Sequence, residues 1–585
     1  MDVAQNFEYH HIFDEPRPST ESLLRGIPSK FAIGLLTIIN DTLTIKGQNP
    51  DTQEFLLNNL SQNFPESIRN GIFDRVLSLI RSGEFELFSF SFTMEFINRE
   101  LIDFREENPS RNDDPSTDEL NFFKSYIVII DEMVQRDTLT LKKELKDAEE
   151  KGGKYIEKLM WPHLIKQFEF TNRPDAIYER YKGRALMSYI ENQPKFKEYA
   201  SGYFKSLGCN SGSDYLNRLE SLIVRNLQRE KSSAPMDYFF RIKVSMEEPV
   251  FESLVIEPEV IRKNVNKQID YRGLKEKPIF KWAHDEYIVP YWDYLYNALF
   301  MGLIFSFYNK SGIQKAIPRF DNFKSIVGRE FADEILFRNT MTKCFTREGE
   351  SLYFFEDNDA FNPDCYYRRG NNIFIMEFKD YLMATDVIQS GSYEIIKNAI
   401  EEKFVGDTNN GQNRGKGINQ LAWNIELLKN KPGLFWEIDE NAKNNNLKLK
   451  DMDIYPLIIQ TNIYFDLPGV NDHLNEIFQK RIQNIKSDFK SIKPFTMIHF
   501  QYFFERILLF ADARFQLDEE INFYHSMSRI LKLKAESTRA VDDWFNGLSQ
   551  FSMVESTKSS SQLSYRKAEL LNAINECWKI ASTKE

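Results

Sequence analysis

The sequence is poor in the features that assign a class at once. Its four cysteines, Cys209, Cys344, Cys365 and Cys577, form no CxxC pair and no regular spacing, which argues against a disulfide framework or a zinc site and fits a reducing cytoplasm. The seven histidines show no HxxxH or HExxH arrangement, so each reads as structural rather than as a ligand. Long apolar runs are missing too. The most apolar stretch, Tyr294 to Tyr308, falls short of the roughly 20 residues that span a bilayer and carries Asn297, so it reads as a buried helix and no membrane contact is expected. No basic segment followed by an apolar one opens the chain, which predicts no secretory leader, a mature start near Met1 and a cytoplasmic protein. Basic charge is in deficit: 75 Lys and Arg against 87 Asp and Glu leave a formal net charge of -12. Bulk electrostatic attraction to nucleic acid is therefore excluded, and any such surface must be a local basic patch. Neither "SGSDYLNRLES" nor "GDTNNGQNRGKG" has the GxxxxGK(S/T) order of a P-loop, and no internal repeat indicates a solenoid.

What is present is a large globular chain. Its 585 residues are 42% hydrophobic and include 49 Phe, enough to bury several cores. From about Glu21 to Lys310 apolar residues recur at three- and four-residue intervals, which predicts a mainly helical region, with a helical hairpin around Gly208 to Gly212. Beyond Arg319 helices and strands alternate, as in an α/β layer structure. The sequence thus divides into a helical region at 1–315, possessing one or two subdomains, an α/β domain at 316–545, and a polar linker with a last helix at 546–585.

One stretch poses a chemical question. In "FNPDCYYRRGNNIFIMEFKDYL" the apolar strand Ile373 to Met376 runs directly into Glu377 and Lys379, and charges in a buried strand are costly unless paired. If the two strands pair through Gly370-Asn371-Asn372, Asp364 comes close to Glu377. Alternation along the strand then sets Glu377 and Lys379 on one side and Phe378 on the other. Two carboxylates and an ammonium converge. Asp364, Glu377 and the Phe378 carbonyl are hard oxygen donors of the kind Mg²⁺ prefers, and Lys379 could orient a water or stabilise charge on a phosphate.

Pro363-Asp364 followed thirteen residues on by Glu377-Phe378-Lys379 resembles the PD-(D/E)xK nuclease superfamily. The resemblance spans Phe323 to Leu428. It implies a restriction-endonuclease-like core, a mixed sheet flanked by helices, with Asp364 and Glu377 binding Mg²⁺ (or Mn²⁺, which takes the same ligands) and Lys379 assisting the attacking water. It also implies an additional acid on the preceding helix, for which Glu334 is preferred to Glu330, and it matches "RGKGINQLAWNIELL" to a helix bearing a catalytic glutamine, here Gln420. Ile418, Leu421, Ile425 and Leu428 form the core face of that helix, while Gln420 and Asn424 share another. Arg368, Arg369, Arg414 and Lys416 are candidate contacts to a nucleic-acid backbone. The basic, aromatic stretch from Arg262 to Trp282 is a further candidate, or a solvated loop.

The function this resemblance implies is a metal-dependent endonuclease acting on DNA, in bacterial defence against phage or plasmids, with the helical region recognising a partner, regulating, or self-associating. Two alternatives stand beside it: a non-catalytic nuclease-fold scaffold, and a nuclease of RNA or branched DNA.

Overall fold

Helices with one apolar stripe and strands apolar on both faces can bury those surfaces only against one another. Two bodies result, Asp2–Lys142 with Arg173–Pro318, and Lys143–Asn172 with Arg319–Glu585. The computed structural model describes residues 5–83, 85–107, 114–151, 155–171, 175–229, 241–243, 248–264, 271–356, 363–406, 416–538, 547–551 and 567–580. Among the described residues no helix is long and apolar enough to cross a membrane.

The first unit is mainly helical. Helices Ser29–Lys46 and Phe90–Ile102 pack on each other, and a buried hydrogen-bond set joins them to the chain around 290: Asn40 Nδ2 donates to the Pro290 carbonyl at 2.8 Å and Trp292 Nε1 to Asp41 Oδ1 at 3.0 Å. The apolar stretch from Tyr294 to Tyr308 is broken between helices Trp292–Asn297 and Met301–Lys310. A small antiparallel sheet of Ile242–Lys243, Glu286–Ile288 and Phe280–Ala283 completes the unit, with a two-residue parallel pair at Gln5–Asn6 and Phe85–Glu86.

The second unit is built on a mixed sheet of six strands. In chain order its elements include α1 (Tyr155–Thr171), α2 (Phe320–Val327), a π-helical segment (Gly328–Phe337), α3 (Arg338–Phe345), β1 (Glu350–Phe354), β2 (Cys365–Arg369) and β3 (Asn372–Lys379). They continue with α4 (Tyr393–Phe404), α5 (Ile418–Asn430), α6 (Glu440–Asn444), β4 (Asp453–Gln460), α7 (Val470–Arg481), β5 (Ser491–Ile492), β6 (Thr496–His499), α8 (Gln501–Ala511), α9 (Leu517–Thr538) and α10 (Lys567–Cys577). The strand order is β5-β4-β3-β2-β1, and β6 also pairs with β4. β1, β2 and β3 are antiparallel neighbours, whereas β4 runs parallel to β3, β5 and β6.

Both faces of the sheet are covered, which is why β3 and β4 read as continuous apolar runs. On one face Ile373, Ile375, Ile454 and Ile458 pack with Ile418, Leu421, Ile425 and Leu428 of α5. On the other, Phe378 stacks on Phe337 with ring centroids 4.6 Å apart, and Tyr367, Phe374 and Tyr455 form a stacked row across three strands. Offset aromatic pairs of this kind add about 0.5–1.5 kcal/mol each beyond the area they bury.

Two segments group differently from the linear division. Lys143–Asn172, inside the helical region by sequence, belongs with the sheet unit, because α1 places Trp161, Ile165 and Phe168 in its core and the Trp161 indole donates to the Pro468 carbonyl at 2.7 Å. An apolar stripe says that a helix packs, and not against what. The last helix is likewise part of this unit: Trp578, just after α10, is buried and donates from Nε1 to Thr340 Oγ1 of α3 at 2.9 Å. Residues 552–566 of the polar linker lie outside the described residues.

His525 of α9 ties that helix to β6, its Nε2 lying 2.7 Å from Thr496 Oγ1. Burial, with the Lys532 charge adding, pushes the imidazole down from 6.5 to about 4. The unfolded chain therefore takes up this proton at higher pH than the folded one, so the stability is fully present above pH 6.5 and drains away as pH falls towards 4. Thermal melts at intervals from pH 7.5 to 4.5 should show a falling melting temperature for the native chain and a flatter course for His525→Gln; parallel curves would exclude His525 as the source.

Candidate active site

β2 and β3 form a hairpin whose tight turn is Gly370-Asn371, with Arg369 facing Asn372 across it. Gly370 has φ +57, the left-handed backbone that a two-residue hairpin turn demands. The turn fixes the register, Cys365 opposite Met376, and so sets Asp364, one residue ahead of β2, beside the end of β3. The Phe378 N–H donates to Asp364 Oδ2 at 2.7 Å. Lys379 Nζ lies 3.2 Å from Asp364 Oδ2 and 2.9 Å from Glu377 Oε2. The three charged residues predicted to converge do so, with Phe378 turned to the opposite face.

Burial sets the electrostatics. Glu377 has no exposed surface. Burial, reinforced by the Asp364 charge and opposed by Lys379, holds its carboxyl well above the usual range. Burial also works against the Lys379 ammonium, but Asp364 and Glu377 outweigh it, so its pKa rises and the charge is retained. Tyr381, two residues further on, is half-buried; burial and the Asp364 and Glu377 charges raise its phenol against the opposing effect of Lys379, which places the ring within electrostatic reach of all three.

The second oxygen of Glu377 is held from α5. Asn424 is fully buried, and its Nδ2 donates to Glu377 Oε1 at 3.2 Å. Gly417 lets the start of α5 pack closely on the end of α4. It enters α5 with φ +52, and a Cβ there would lie 2.5 Å from the Phe404 carbonyl oxygen, closer than any side chain tolerates. Asn424 is a site residue the sequence reading passed over in favour of Gln420, one turn earlier. Gln420 is half-buried and, among the described residues, makes no hydrogen bond to Asp364, Glu377 or Lys379. The available signal was an amide on a helix that is otherwise apolar on its core side.

The opening helix differs from expectation in geometry. Over Gly328–Phe337 it is π-helical, and the Arg338 N–H bonds to the carbonyl of Asp333, five residues back. Segments of this kind are rare and concentrate at functional sites. Glu334 is exposed, Glu330 lies 3.6 Å from Arg329, and neither bonds to Asp364, Glu377 or Lys379 among the described residues. Asp333 is the helix carboxylate turned this way: it pairs with Arg338 at 3.3 Å, and its charge acts with that of Asp364 on the buried Cys365 thiol.

The basic candidates separate. Arg368 is not a surface group. It is buried and forms a bidentate ion pair with Asp439, to which Ser351 (2.6 Å), Tyr366 (3.0 Å) and the Ala442 N–H at the start of α6 (2.9 Å) also donate. On a strand covered on both faces an outward-facing arginine has no solvent to reach, so a partner carboxylate takes it. Arg369 pairs with Asp518 and is partly buried. Lys416 is exposed at the entry to α5, and Arg414 and the rest of 407–415, including most of the Gly- and Asn-rich loop, lie outside the described residues. In the first unit Tyr271 is buried, and Trp282 lies between Lys30 and Arg241 at 5.1 and 5.5 Å, so neither ring is an open stacking platform.

Among the described residues no group of three or more His, Cys, Asp or Glu side chains is placed to hold a metal ion. No protein-family model, no curated protein and no solved structure matches the chain.

Removing one member of a buried ion pair strands the other, at a cost of about 3–5 kcal/mol. Asp439→Ala should therefore lower the urea midpoint of the sheet unit strongly, and Arg368→Met with Asp439→Leu should recover much of the loss. A shift below about 1 kcal/mol for the single variant, the size of an exposed pair, would show that the pair is solvated.

Proposed function

We propose that the sheet unit is a Mg²⁺-dependent nuclease of the PD-(D/E)xK type, with a restriction-endonuclease-like core, hydrolysing phosphodiester bonds of DNA. The observation that carries this reading is the convergence of Asp364 and Glu377 on one point, marked by Lys379 Nζ at 3.2 and 2.9 Å. That point already holds a cation, the ammonium. The donors suit a hard divalent ion: Mg²⁺ commonly takes one or two carboxylates and completes its shell with water and substrate phosphate. Asp364 has about a third of its side chain exposed, so the pair opens to solvent on that side.

Asp364, Glu377 and the Phe378 carbonyl would hold Mg²⁺, which polarises a phosphate and lowers the pKa of water when bound. The chain's own residues do the rest. Lys379, kept protonated by the two carboxylates, serves as a fixed positive donor and not as a proton acceptor; it orients the attacking water and opposes charge building on the phosphate oxygens. The Phe378 N–H holds Asp364 in place. Asn424 holds Glu377 from behind. Exposed Lys416 is suited to a backbone phosphate. The helical unit, in this reading, recognises, regulates or assembles, and the acidic balance limits non-specific DNA binding until activation, as in a defence effector.

A non-catalytic scaffold is the competing reading, and one observation favours it: Glu377 is fully buried with both oxygens engaged, as in a structural ion cluster. Cleavage assays separate the two. Supercoiled plasmid, linear duplex, single-stranded DNA and RNA are incubated with Mg²⁺, Mn²⁺ or chelator and the native chain, Asp364→Ala or Lys379→Ala. Metal-dependent cutting of DNA, reduced about 10²–10³-fold in each variant, the scale of removing one transition-state donor, is expected. Cutting of RNA alone would transfer the site to the RNA reading. Cutting retained in both variants would overturn the assignment, and inertness towards every substrate would favour the scaffold.

A further inference from the structure

The proposed chemistry uses one half of the Asn424 amide and leaves the other unexplained. Nδ2 donates to Glu377 Oε1, while Oδ1 is buried and accepts no hydrogen bond from the described residues. Turning the amide over does not remove the deficit. It would leave Nδ2 without an acceptor instead. Buried polar atoms are almost always satisfied, by protein or by water, so this free end of a fully buried amide, set at a carboxylate, has room for a donor such as a water.

Glu377 presents the complementary asymmetry. Asn424 occupies Oε1 and Lys379 occupies Oε2. A cation arriving at the point marked by Lys379 Nζ competes for Oε2, on the side shared with Asp364, and leaves Oε1 undisturbed. We propose that Asn424 is a positioning residue of the cation site. Its Nδ2 pins Oε1 so that Oε2 faces the divalent cation, and its Oδ1 accepts a hydrogen bond from a water of that cation's hydration shell. This rests on the metal-dependent reading of Asp364 and Glu377, and it assigns to α5 a role in cation affinity through Asn424 rather than through Gln420.

Binding of Mn²⁺ to the full chain, followed by electron paramagnetic resonance without nucleic acid, tests it. Native chain, Glu377→Gln, Asn424→Ala and Asn424→Leu are compared, with far-UV circular dichroism and melting in chelator reporting the fold. Loss of an outer-shell partner of a metal ligand lowers affinity about 10–100-fold. That weakening is expected in both Asn424 variants, with Gln420→Ala close to native. Asn424→Leu fills the volume without the amide, so native affinity in this variant would show that only packing matters and overturn the inference. Affinity within about twofold of native in Asn424→Ala, well below the outer-shell range, would overturn it as well, as would loss of the fold in both variants. If the native chain binds no Mn²⁺, or Glu377→Gln binds it unchanged, the metal reading itself fails and takes this inference with it.

Discussion

The arrangement at the end of β3 depends on one ammonium. Without Lys379, Asp364 and Glu377 would face each other in a region where one of them has no access to water, and two adjacent carboxylates cannot both stay ionised cheaply in such a place. With it, both are paired with a single cation at 3.2 and 2.9 Å, and the Phe378 N–H adds a donor to Asp364. The opening oddity of the sequence, a core strand that ends in charges, is thus resolved inside the hairpin. The partner needed by Glu377 and Lys379 is supplied from the head of the neighbouring strand, and the two-residue turn at Gly370-Asn371 brings it into register.

Around this cluster the structure fixes each backbone that carries a charge. Asp380, next to Lys379, accepts from Thr461 Oγ1 at the end of β4 at 2.6 Å and pairs with Lys324 of α2, so the strand end is tied to a parallel neighbour and to the opening helix at once. Phe378 anchors the opposite face through Phe337 at the C-terminal end of the π-helical segment. Gly417 seats the start of α5 against the Phe404 carbonyl, and Asn424 of the same helix reaches Glu377. Each tie is ordinary alone. Together they leave the charged side chains few rotamers to lose, which is the condition under which a site of this kind works without reorganising.

The parts legible in the sequence are those governed by local rules. The hairpin was readable from alternation and a Gly-Asn turn, and the core face of α5 from its Ile and Leu spacing, because both follow from periodicities of two and 3.6. What escaped reading depends on contacts between distant segments. Arg368 looked like a surface cation until Asp439, seventy-one residues away, claimed it. The segment carrying α1 gave no sign that its Trp161 would reach the Pro468 carbonyl. Glu334 is a different case: it is exposed, and the helix carboxylate whose charge acts on Cys365 is Asp333, one residue earlier.

A lysine whose charge is reinforced by two carboxylates is a poor proton acceptor, and this constrains any reaction at the site. On the nuclease reading, a divalent cation held by Asp364 and Glu377 would share their oxygens with Lys379, whose ammonium would then be held less tightly and be freer to face a phosphate. On that reading, the buried cluster that favours a scaffold when considered alone would be the site without its cation, with Lys379 pairing both carboxylates.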